Sequence, residues 1–168
     1  GIIGLLPSGT GVSLLAAHEV ELFDNEIRGN QTSSIGIISY LATGTDYDDP
    51  EYNPYADTIY IHGNTFADNG TNYDTTSPLS FLVVDALTAI LTPPFTIPDI
   101  VFFGFVDPSK ADPGDPRRFQ AAYNLCIAGD QGASFANLDM ALGSEMVTTD
   151  MSAHDCTHPP LPAITLGQ

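Results

Sequence analysis

Short stretches of alternating apolar and polar residues dominate the first seventy positions, and they recur. Val12 and Leu14 in GVSLL match Ile35 and Ile37 in SIGIIS at a spacing of 23. VELFDNEIRGN (20–30) matches IYIHGNTFADN (59–69) at a spacing of 39, pairing Val20 with Ile59, Leu22 with Ile61, Asn25 with Asn64, Ile27 with Phe66 and Asn30 with Asn69. A 16-residue insertion, ATGTDYDDPEYNPYAD at 42–57, accounts for the difference between the spacings. Alternation with period two predicts short strands that turn one face inward, and the breaks at Asn or Gly predict corners. One such unit cannot bury its inner face alone, so consecutive units must stack.

This pattern predicts an all-β chain: a right-handed parallel β-helix of about two to three coils over 1–72, with the acidic insertion at 42–57 projecting from it. Asn25 over Asn64 and Asn30 over Asn69 are expected as a structural ladder at the corners, where asparagine tolerates left-handed backbone and its amide can bond to the residue stacked on it. After Asn72 the period is lost. Ser77-Pro78 reads as the start of one short helix, with Leu79, Leu82, Val83, Ala86, Leu87 and Ile90 at helical spacing. IVFFGFV (100–106) reads as a strand, NLCIAG (124–129) and ASFANLD (133–139) as a hairpin, and the Pro-rich end as an extended surface tail. Residues 73–168 thus form a C-terminal extension packed on the same domain.

Quoted as they stand, LLPSGTGVSLLA, VELFDNEIRGN, DPEYNPYADTIYIHGNTF, PDIVFFGFVDPSK, NLCIAGDQGASFANLD and DCTHPPLPAI resemble the signatures of exported bacterial right-handed parallel β-helix proteins of unassigned function. Their coils have the form GVxxxxxxxVEIxxNxIxxN. The resemblance covers essentially the whole chain. It implies a secreted, periplasmic or cell-surface bacterial protein whose full-length form has a signal or lipoprotein peptide and further coils. Gly1 follows no basic leader region, so the chain reads as the C-terminal portion of such a protein. The missing N-terminal coils, or another protein chain, are the expected partner at the open coil end, because an unpaired strand edge is a template for pairing. In an exported protein, Cys126 and Cys156 are expected to form one disulfide, two buried thiols being the alternative.

Charge narrows the function. The 168 residues carry 21 Asp and Glu against 4 Lys and Arg, a net charge of −17. Such a surface repels phosphate backbones and anionic headgroups, which excludes nucleic acid, and the longest apolar run, at 78–91, is too short to insert in a membrane. Asp46, Asp48, Asp49, Glu51 and Asp57 are candidate oxygen ligands for Ca²⁺, although Pro50 and Glu51 break the EF-hand spacing. Tyr47, Tyr52 and Tyr55 are candidates for stacking on a polysaccharide, and His62, outward on the second coil beside the insertion, is a candidate to bind it or to act as a general base. His154 and His158 have an i, i+4 spacing, but Pro159-Pro160 argues against a metal-binding helix there.

A polyuronate lyase would need cations or bound Ca²⁺ beside its base, and Arg28 is the only basic residue of the coils. No catalytic constellation stands out, and a fold alone licenses no activity. The reading is therefore a secreted structural or interaction module that binds glycan or calcium. The alternative is a polysaccharide-active enzyme, a lyase, epimerase or glycoside hydrolase, using the outer coil face.

Overall fold

The structure, a computed structural model, describes residues 1–130 and 132–162. It is mostly sheet, with parallel strands and a single α-helix among the described residues. Strands β1 (Val12–Leu15), β2 (His18–Phe23) and β3 (Glu26–Arg28) each open a different sheet, and β4 (Ile35–Ile38), β5 (Asp57–His62) and β6 (Thr65–Ala67) lie parallel beneath them. The registers pair Val12 with Ile35, Val20 with Ile59 and Ile27 with Phe66. These are the spacings of 23 and 39 seen in the sequence.

The later half adds to the same sheets. Strand β7 (Ile100–Phe102) pairs with β4, and β11 (Phe135–Asn137) pairs with β7; β10 (Leu125–Ala128) pairs with β5. The hairpin expected from 124–139 does not form, because β10 and β11 belong to different sheets and each runs parallel to an earlier strand. The antiparallel pair lies elsewhere, between β8 (Ala111–Asp112) and β9 (Asp115–Phe119).

Inward positions stack into apolar rows: Val12, Ile35, Ile100 and Phe135 in one sheet, and Val20, Ile59 and Leu125 in another. Helix α1 (Pro78–Thr88) turns Leu79, Val83, Ala86 and Leu87 onto the outer face of the four-stranded sheet, against Ile38, Val101, Phe103 and Ala136. Ser77 sits at its N-cap without a side-chain cap bond; Asp74 instead accepts from the backbone N–H groups of Thr76 and Ser77.

The asparagine ladder is present. Asn64 Oδ1 accepts from Asn25 N and Nδ2, both at 3.0 Å, and Asn69 Oδ1 accepts from Asn30 N and Nδ2 at 2.9 and 3.0 Å. A carboxylate forms the third rung of each column: Asp130 accepts from Asn64 N, and Asp99 accepts from Asn69 Nδ2 at 3.1 Å. The left-handed residue at each corner precedes the asparagine and is not the asparagine itself. Asp24 and Gly63 stand before Asn25 and Asn64, and Gly29 and Asp68 before Asn30 and Asn69, all at φ between 55° and 68°.

The C-terminal segment is partly interior. The tail runs from the 3-10 turn at Ser152–His154 across the outside of the three-stranded sheet, fixed by the Cys126–Cys156 disulfide. His154 is buried rather than on the surface tail expected for it, packing against Phe102 and Phe135 at the far end of the stack. The last residues of the extension, 163–168, including the end of DCTHPPLPAI, lie outside the described residues.

Candidate functional site

The acidic insertion is closed at its base, where Pro54 O accepts from Tyr40 N and Ser39 Oγ, both at 2.8 Å. Beyond it Asp46, Asp48, Asp49 and Glu51 lie exposed on the loop. Asp57 is separated from them at the start of β5, where its side chain is 1% exposed. Lys110 Nζ lies 2.7 Å from its Oδ2, His18 Nδ1 2.9 Å from the same oxygen, and Thr58 Oγ1 donates to Oδ1 at 2.7 Å. Burial opposes ionisation of Asp57, but these donors outweigh it and hold the carboxyl below its ordinary value. Among the described residues no group of three or more His, Cys, Asp or Glu side chains is placed to hold a metal ion. No described helix is long and apolar enough to cross a membrane.

The tyrosines divide. Tyr47 and Tyr52 pack edge to face with each other and with Tyr40, ring centroids 5.2–5.8 Å apart. Tyr47 remains 41% exposed. Tyr55 leaves this cluster and lines a cavity of about 690 Å³ between the β8–β9 hairpin and the body of the protein. Burial, and then the nearby Asp107 charge, raise the Tyr55 hydroxyl above the usual tyrosine pKa.

His62 is held on the outer face of the three-stranded sheet. Its ring stacks on Phe23 at 5.3 Å with planes 4° apart and on Tyr60 at 4.1 Å, and its Nε2 lies 2.9 Å from Glu21 Oε1. The His62 bond comes first, and the Leu161 N–H second, in holding the Glu21 carboxyl below its ordinary value. The tail crosses this face strand by strand. Cys156 is bonded to Cys126 on β10, His158 meets Tyr60 of β5 edge to face, and Leu161 N donates to Glu21 of β2 at 3.1 Å. The i, i+4 histidines do not converge: His154 Nδ1 bonds Leu125 O at 2.9 Å, and His158 Nε2 bonds Asn124 O at 2.7 Å.

No protein-family model, curated protein or solved structure matches the chain.

Sequence reading missed three features. Lys110 reaches Asp57 across 53 residues, and no local pattern announces that contact. The cavity is built by the β8–β9 hairpin, whose only sequence signal is the turn-forming Asp112-Pro113-Gly114-Asp115. The third set of strands was announced by LCIAGD (125–130), which repeats IYIHGN (59–64) with aspartate in place of asparagine.

Proposed function

We propose that the chain is the closing portion of a right-handed parallel β-helix and serves as a secreted structural or interaction module, of the kind its coil motifs resemble. Its open end receives one more coil of three parallel strands with an apolar inner row. The unfilled outer rung of the ladder carries this reading. Both Asn25 and Asn30 use their amide N–H groups within the chain, while the Oδ1 of each accepts no hydrogen bond among the described residues. Around them Val12, Leu14, Val20 and Leu22, inward-facing like Ile59 and Ile61, are only partly buried, and β1, β2 and β3 each end a sheet. The opposite end is closed by Phe119, Met151 and His154. An edge of this kind pairs readily with a further strand.

Inserting a second copy of residues 11–33 between Thr10 and Gly11 tests the proposal, because 23 residues is the β1-to-β4 spacing. The added coil should place its own strands on β1, β2 and β3. Amide hydrogen exchange of 12–28 should slow markedly and the melting temperature should rise. Unchanged exchange across those strands would refute the reading.

A further inference from the structure

Three of the four basic residues fall in nine positions, Lys110, Arg117 and Arg118, on and beside the β8–β9 hairpin. They are not equivalent. Lys110 is spent on Asp57, and exposed Arg118 lies beside Asp115. Arg117 lies on the wall between the 690 Å³ cavity and a second of about 490 Å³, and on the side of the second, buried Asp139 holds its Nε at 3.2 and 3.3 Å. Asp139 is itself fixed by the Met146 N–H at 3.0 Å. The guanidinium is thus oriented through one nitrogen, while its two terminal nitrogens make no hydrogen bond among the described residues.

Two other polar groups of the cavity are half-used in the same way. Asp112 accepts from Gly114 N through Oδ1 alone, and Gln120 donates through Nε2 to Ala111 O, leaving Oδ2 and Oε1 free of partners among the described residues. Apart from Ser109, the other side chains of the wall are aromatic or apolar, with Tyr55, Phe105 and Pro116 among them. The volume is that of a small-ligand site, roughly 300–1,000 Å³.

We propose that this cavity binds a neutral saccharide. The charges decide between ligand classes. An anion would meet Asp112, with Asp107 close to Tyr55, within a protein of net charge −17, and a cation would meet the positive charge of Arg117. A neutral sugar meets neither penalty. Its hydroxyls both donate and accept, which matches free donors on Arg117 set beside free acceptors on Asp112 and Gln120, and its C–H face packs on Tyr55 and Phe105. This inference does not depend on the open-end reading above, since the cavity lies at the hairpin and not at β1, β2 or β3.

The test is saturation-transfer NMR and calorimetry of the whole chain with neutral trisaccharides of glucose, mannose, galactose and N-acetylglucosamine. A galacturonic acid trimer and an apolar dye serve as the other arms. At least one neutral trisaccharide should bind saturably. Tyr55→Ala should weaken it by about tenfold or more, and so should Asp112→Ala, at an exposed position whose one hydrogen bond lies within the β8–β9 turn, with circular dichroism checking that the fold is kept. Tyr47→Ala, in the separate tyrosine cluster, should leave the affinity unchanged. Binding of the uronate or the dye in preference to every neutral sugar would overturn the proposal. So would neutral-sugar binding that survives both Tyr55→Ala and Asp112→Ala, or no binding in any arm.

Discussion

Replacing Asn64 by alanine probes the contact that holds one circuit of the chain on the next. The Asn64 side chain is buried and makes four hydrogen bonds: Oδ1 accepts from Asn25 N and Nδ2 at 3.0 Å each, and Nδ2 donates to Leu22 O at 2.9 Å and His62 O at 3.1 Å. At about 0.5–1.5 kcal/mol net for each, with two donors sharing one oxygen, the loss comes to about 3 kcal/mol. For a chain of this length that is a fall in melting temperature of about 6–12 °C. Asn25→Ala is the internal control. Asn25 is exposed and its amide bonds only Phe23 O and Asn64 Oδ1, so water replaces most of what is lost and the cost is about 1 kcal/mol or less. Urea unfolding of both variants at neutral pH, read by far-UV circular dichroism, gives the comparison. Costs equal within about 0.5 kcal/mol, the scatter expected of an ordinary surface substitution, would mean that the ladder does not hold the circuits together.

Removing the disulfide with Cys126→Ala and Cys156→Ala opens a loop of 30 residues, which should cost about 3–4 kcal/mol and speed amide exchange at Thr157, His158 and Leu161. Unchanged stability would show that the tail is held by its other contacts. Burial keeps the His154 imidazole below its ordinary pKa, so the folded state resists the proton that the unfolded chain accepts near pH 6.5. The stability this contributes is complete above that pH and is lost as pH falls toward the depressed folded value. Between pH 7.5 and 5.5, wild type should therefore lose stability relative to His154→Phe, by at most about 1.4 kcal/mol per pH unit. Parallel urea midpoints across that range would contradict a buried neutral imidazole.

How much of this was legible in the sequence depended on whether the signal was a repeat or a contact. The registers of β1 on β4, β2 on β5 and β3 on β6 are legible in the chain itself, because a stacked circuit must return an apolar residue to the same inward position. The third set escaped for two physical reasons. The acidic insertion and the helix stretch the return from Ile35 to Ile100, and the helix and the β8–β9 hairpin stretch that from Ile59 to Leu125, each to about three times the basic spacing. Its ladder rungs are Asp99 and Asp130, so a search for asparagines ends at Asn69. The tyrosines were visible as a group, but only folding assigns Tyr55 to the cavity and leaves Tyr47 and Tyr52 against Tyr40. Asp57 looked like one more acid of the loop because Lys110 and His18, which hold it, are remote in the chain.

The ladder also gives the molecule a polarity. Each rung's side-chain oxygen receives N–H donors from the rung on its N-terminal side, so at Asn25 and Asn30 the ladder itself offers acceptor oxygens. At the other end a newcomer would have to accept from the chain, and there the Asp99 N–H is already taken by Ser134 Oγ at 2.9 Å. Two copies meeting head to head would set the acceptor oxygens of one ladder against those of the other. A head-to-tail contact that repeats without closing builds fibres. If the end at Asn25 and Asn30 takes the further coil proposed above, the same hydrogen-bond geometry would favour a partner that donates to those oxygens over a second copy of this end.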